Sequence, residues 1–136
     1  MIVLDTSVLS LFYRRWKPKP PPHPLVAVLQ ELIDRQAPLL IPGIVTQEVL
    51  GGVRSSAQFL DLEWNLEGFP ALLADSSDHV RAAEISNQCR QHGVVASVAD
   101  CLIAALAIKM NAELMTTDKD FDRIAKYCEL RLRRFP

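Results

Sequence analysis

The chain has 136 residues, 49% of them apolar and 23% charged, with a formal net charge of −1. Length alone points to one domain spanning residues 1–136, large enough to bury roughly 70% of its unfolded surface. Disorder over most of the chain is excluded, and so is a strongly basic nucleic-acid module, because 15 Lys+Arg meet 16 Asp+Glu. Three scattered cysteines, Cys89, Cys101 and Cys128, form no CxxC pair and read as reduced thiols rather than a disulfide framework or a zinc ribbon. The longest apolar run, Cys101 to Ile108, falls well short of the ~20 residues that cross a membrane. A soluble, cytoplasmic protein is the expectation. Its neutral sum conceals uneven charge: Arg14, Arg15, Lys17 and Lys19 have no acid between Asp5 and Glu31, and Arg131, Arg133 and Arg134 crowd the end.

In chain order, Ile2-Val3-Leu4 reads as a buried first strand stopping at Asp5. Thr6 or Ser7 can cap a helix carrying Val8, Leu9, Leu11, Phe12 and Trp16. Residues 17–24 hold five of the nine prolines and read as an extended surface loop. A helix is predicted over 25–36, a strand over 38–42, a helix from 43 to Gly51-Gly52, and another over 55–67. Then come a strand at 71–73, a helix over 78–91, and a very apolar helix from Ser97 through Met110. A strand over 114–117 ending at Asp118, a helix around 121–127 and an edge strand within 130–135 complete the pattern. Short strands alternating with helices indicate an α/β sandwich around a mostly parallel sheet of four or five strands. No glycine fingerprint for a dinucleotide or a P-loop is present.

Four acids stand out. Asp5 and Asp118 each follow an apolar strand, the position where open parallel sheets bind ligands. Asp100 lies in the first turn of a helix that is apolar all round, and Glu48 interrupts the stripe Ile44, Val45, Val49. The bland alternatives are helix capping for the aspartates and an ion pair of Glu48 with Arg54 or Arg35. Taken together, converging carboxylates would repel one another unless a cation sat between them. All-carboxylate donors suit Mg²⁺, with Mn²⁺ as a substitute, and such a site suits phosphoryl chemistry. His23 falls in the proline loop, while His79 and His92 flank a helix and look solvated.

The ordered set Ile-Val-Leu-Asp5-Thr6-Ser7, Ile44-Val45-Thr46-Gln47-Glu48-Val49, Ala99-Asp100-Cys101-Leu102-Ile103-Ala104-Ala105 and Leu114-Met115-Thr116-Thr117-Asp118-Lys119-Asp120-Phe121 resembles the PIN-domain family. It is closest in pattern to the short VapC-like toxins of bacterial and archaeal toxin–antitoxin pairs. The resemblance implies a PIN-like three-layer α/β/α sandwich and a Mg²⁺- or Mn²⁺-dependent endoribonuclease. It implies that Asp5, Glu48, Asp100 and Asp118 are both catalytic and metal-binding. It also implies an RNA substrate, a VapB-like antitoxin and a homodimer. Asp120 and Asp122 compete with Asp118 for the fourth position, and Thr6, Ser7 and Thr117 are candidate hydroxyls for orienting the acids. Leu9, Phe12, Tyr13 and Trp16, near Val28, Leu32 and Ile33, offer an apolar bed for the antitoxin. The rival readings are a PIN-like nuclease of general RNA processing and a non-catalytic interaction module.

Overall fold

The computed structural model describes residues 1–13 and 23–135. Arg14, Arg15, Trp16 and the proline run up to residue 22 lie outside the described residues, and with them the expected bulk of the surface loop. Five parallel strands form one sheet: β1 (Ile2–Leu4), β2 (Leu39–Pro42), β3 (Ala71–Leu72), β4 (Glu113–Met115) and β5 (Arg131–Leu132), in the order β3-β2-β1-β4-β5. Ile2 pairs with both Leu39 and Glu113, so β1 is the central strand. All three of its side chains are buried, the condition of a parallel strand covered on both faces.

Between β1 and β2 run α1 (Thr6–Phe12) and α2 (Pro24–Asp34), and between β2 and β3 run α3 (Gly43–Leu50) and α4 (Ser56–Glu67). The chain then passes through α5 (Ser76–Gln91) and α6 (Val98–Lys109) to β4, and through α7 (Asp120–Ile124) to β5. The connections toward β3 carry α1–α4 and those in the other direction carry α5–α7, so the right-handed crossovers that parallel strands obey assign the two groups to opposite faces. Most of the helix packing follows that division, with α1 on α2 and α3, α3 on α4, and α6 on α5 and α7, while α3 also meets α6. The three-layer α/β/α sandwich is the one expected, with its sheet wholly rather than mostly parallel. Its centre is α6, whose residues Cys101 to Ala107 are all buried against the sheet.

Helix ends are set by local chemistry. The α5 helix begins at Ser76, earlier than expected, because Asp75 and Asp78 form a reciprocal capping box. Asp78 Oδ2 accepts from the Asp75 N–H at 2.8 Å, and Asp75 Oδ1 accepts from the Asp78 N–H at 3.1 Å. Lys109 Nζ of α6 reaches the buried Asp78 carboxylate at 3.1 Å and ties the two helices together. At the other end of α5, Gly93 adopts φ +78°, its N–H bonding the Arg90 carbonyl while the Val94 N–H bonds that of Cys89. The same double closure ends α2 at Gln36 and α6 at Asn111, both with positive φ.

One expectation needs correction. The strand before Asp118 stops at Met115, not at residue 117, because the Thr116 hydroxyl takes over the hydrogen bonding that a ladder would supply. The α1–α2 apolar bed is divided among the described residues: Leu9, Tyr13 and Leu32 are buried in the core, while Phe12, Val28 and Ile33 stay partly exposed beside them.

Candidate active site

The strand sequence reverses direction beside β1, between β1 and β4, which makes the crevice beyond their carboxyl ends the switch point of the sheet. Asp5 follows β1 directly, and Thr116-Thr117-Asp118 follows β4. The Asp5 N–H bonds the Met115 carbonyl at 3.2 Å, so the two segments leave the sheet side by side. Glu48 comes to this rim from α3, and Asp100 from the first turn of α6.

Asp5 is 4% exposed and is held by two hydroxyls. Ser7 Oγ donates to Asp5 Oδ2 at 2.8 Å, and Thr116 Oγ1 donates to the same oxygen at 2.7 Å. Their own lone pairs are used in turn, since Ser7 Oγ accepts from the Thr117 N–H at 3.0 Å and Thr116 Oγ1 from the Asp118 N–H at 3.0 Å. This small network locks the strand ends together and fixes the Asp5 carboxylate. On α1, Thr6 Oγ1 donates to Glu48 Oε1 at 2.8 Å and steers that side chain toward the same rim.

Asp100 is half-buried, and the Ser97 hydroxyl that caps α6 accepts from its N–H at 3.1 Å. Burial pushes its carboxyl up to about 6, and the negative charges of Asp5, Asp118 and Glu48 push in the same direction, against a hydrogen bond from Ser97. Asp100 therefore feels all three of the other acids singled out in the sequence. Carboxylate oxygens of Asp100, Asp118 and Asp120 lie within 4.8 Å of one another. Asp120 thus joins the cluster, whereas Asp122 leaves it to pair with Arg134 at 2.9 Å. Asp118 Oδ1 accepts from the Asp120 N–H at 2.9 Å, and Asp120 is clamped by Arg123 Nη2 at 2.5 Å.

The burial argument made from sequence holds for Asp5 and in part for Asp100, while Glu48 and Asp118 are exposed. Asp118 meets Asp100 from the rim, while Asp5 and Glu48 stand outside the group whose oxygens come within 4.8 Å of one another and act on Asp100 through their charge. Neither anticipated ion pair of Glu48 forms among the described residues: Arg35 turns to Glu31 at 3.7 Å, and Glu48 takes its bond from Thr6. Thr117 contributes its backbone N–H, and the hydroxyl that reaches Asp5 belongs to Thr116. Of the histidines, His23 caps α2 by accepting from the Leu25 N–H at 3.1 Å, and His92 stacks on Tyr127 with ring centroids 4.3 Å apart. Both are structural.

A pocket of hard carboxylate oxygens, with one acid raised by burial and further by its neighbours' charge, fits a divalent cation better than it fits a bare protein. Asp5, Glu48, Asp100 and Asp118, with Asp120 beside them, are the residues that could hold it. No helix among the described residues is long and apolar enough to cross a membrane.

Comparison with known proteins points the same way. A family model described as PIN domain matches residues 2–127. Ribonuclease VapC11 of Mycobacterium tuberculosis is 33% identical over 137 residues, covering 99% of each chain. VapBC2 from Rickettsia felis, solved on a DNA fragment from its promoter, superposes with a TM-score of 0.78 at 22% identity, covering 100% of both chains. VapBC-1 from nontypeable Haemophilus influenzae gives 0.75 at 21% identity, covering 98% of this chain and 97% of that one.

Proposed function

The chain belongs to the PIN-domain family, and from that premise we propose that its acidic pocket is the active site of a toxin endoribonuclease. The observation that carries the reading is electrostatic: burial raises the Asp100 carboxyl, and Asp5, Glu48 and Asp118, from three other segments, add their charge to that effect at the switch point of the sheet. Hydrolysis of an RNA phosphodiester by PIN-type acids is the chemistry that such a pocket serves, and the full-length relative at 33% identity is named as a ribonuclease.

Asp5, Glu48, Asp100 and Asp118 hold Mg²⁺ in this reading, with Mn²⁺ as its substitute. A bound divalent cation would neutralise the carboxylates, withdraw charge from a phosphodiester oxygen and make a water easier to deprotonate. The chain's own contribution is pre-organisation. Ser7 and Thr116 saturate Oδ2 of Asp5, which holds its second oxygen in one orientation. Thr6 does the same for Glu48, and the Arg123 clamp keeps Asp120 from swinging away from Asp118.

The partner in this reading is a VapB-like antitoxin, as in the solved neighbours that are VapBC complexes. A homodimer stands within the same reading, and Leu73 and Val80, exposed where β3 leads into α5, are apolar side chains it could bury. The test is direct. Purified protein should cleave single-stranded or loop RNA with Mg²⁺ or Mn²⁺, stop on chelation, and lose at least 100-fold in rate as Asp5→Asn. Induced expression alone should slow growth, and Asp5→Asn should relieve it. Cleavage undiminished by chelator, or by that substitution, would overturn the mechanism; harmless expression of an active enzyme would instead favour general RNA processing.

A further inference from the structure

Beside the acid pocket lies a hollow of about 220 Å³ lined by Gly93, Val94, Val95, Ala96, Arg123 and Ile124, with Asp120 at its polar end. Clefts for drug-sized ligands run to roughly 300–1,000 Å³, so this one matches a smaller unit, on the scale of a single nucleoside. Asp120 belongs to both spaces, since its carboxylate also lies within 4.8 Å of Asp100 and Asp118. A chain crossing the acids therefore enters the hollow at once.

Three features give the hollow a chemistry. Its floor is aliphatic, with Ile124 fully buried, while Val95 stands 87% exposed on the rim. Arg123 sits at the boundary, its guanidinium fixed by Asp120, where a planar cation can lie against a base or meet a phosphate. The wall is rigid: the left-handed Gly93 and the two closing bonds from Gly93 and Val94 to α5 set the course of residues 93–96. An exposed valine on a pinned loop beside an acidic pocket is a poor feature for solubility and a good one for apolar contact with the face of a base.

We infer that this hollow is a subsite for the nucleotide flanking the scissile phosphate of the RNA substrate, with Val95 and Arg123 determining which base is preferred there. The inference rests on the ribonuclease reading above. Val95→Glu tests it, because a side chain this exposed can be exchanged without disturbing the core. Val98→Glu is the control: Val98 is 88% exposed, three residues further on, and does not line the hollow. Both proteins and the wild type are assayed with Mn²⁺ on a randomised single-stranded RNA pool and on one short oligonucleotide, after melting curves confirm folding.

Val95→Glu should raise KM about tenfold, the scale of one lost apolar side-chain contact. It should also shift the base preference at one position next to the cut. Val98→Glu should keep the wild-type preference profile. Equal KM effects from both variants with an unchanged profile would reduce the effect to added negative charge and overturn the subsite. So would an active wild type whose KM and profile Val95→Glu leaves as they were. A wild type that cleaves none of these RNAs would overturn the ribonuclease reading itself.

Discussion

Asp5 shows how much positioning a single carboxylate can require. It is buried, and a buried charge is tolerated only when its oxygens are partnered. Ser7 and Thr116 partner the same oxygen, so each keeps the other's bond in line. Thr116→Val keeps the shape of the side chain and removes the hydroxyl. It should lower kcat by about 10–100-fold, as the loss of a hydrogen bond that orients a metal ligand typically does. The fold should survive, because Ser7 still bonds Asp5; single-turnover kinetics at saturating Mn²⁺ separate lost chemistry from lost metal affinity. The acids themselves were legible in the sequence, since each stands in an apolar setting. Thr116 was not. Thr116 and Thr117 are adjacent and chemically identical, and only the end of β4 at Met115 decides which one turns its hydroxyl to Asp5.

At the scale of elements, periodicity predicted nearly every helix and strand, and the discrepancies arise where side chains override it. The Asp75–Asp78 box starts α5 two residues early with an aspartate pair in place of the usual Ser/Thr and Glu. Gln36 closes α2 at φ +54°, a conformation that nothing in a glutamine announces. Gln36→Gly should therefore stabilise the protein, by about 1 kcal/mol at most once glycine's greater freedom in the unfolded chain is set against the relief. Chemical denaturation would register this as a higher midpoint at constant slope. A second element-scale point concerns the proposed antitoxin. Beyond the partly exposed α1–α2 residues, α4 offers apolar surface of its own, with Leu60 63% and Trp64 76% exposed one turn apart. Such pairs anchor an amphipathic or folding-on-binding segment. Trp64→Glu should weaken capture by the cognate antitoxin by 2 kcal/mol or more, about 30-fold in Kd. RNA cleavage by the free protein should stay at the wild-type rate, because α4 contributes nothing to the acid pocket. Isothermal titration and a cleavage assay on the same preparation check both halves.

The molecule as a whole balances a well-covered parallel sheet against a rim of mutually repelling acids, and that balance depends on pH. Asp100 carries the clearest signature, raised from 3.8 to about 6 in the folded state. A carboxyl raised on folding leaves the native protein with more bound protons than the unfolded chain in that interval. Stability therefore falls as pH rises from about 4 through about 6 and levels off above, when no cation is present. Asp100→Asn removes this loss. The variant should match the wild type near pH 4 and exceed it at pH 7 by about 1–2 kcal/mol, allowing for the part of the carboxyl that reaches solvent. Thermal melts of both proteins across pH 4–7 in chelator give the difference directly, and taking that difference cancels groups such as Asp75, whose carboxyl is lowered by bonds from Ser77 and the Asp78 N–H in both proteins. Mg²⁺ should then reverse the ranking. Binding to the four-acid site raises the wild-type melting temperature in proportion to RT ln(1 + [L]/Kd), while the variant, short one ligand, gains little. A stability difference between the two proteins that is the same at pH 4 and pH 7 in chelator, or an Asp100→Asn protein that Mg²⁺ stabilises as much as the wild type, would show that Asp100 takes no part in a shared cation site.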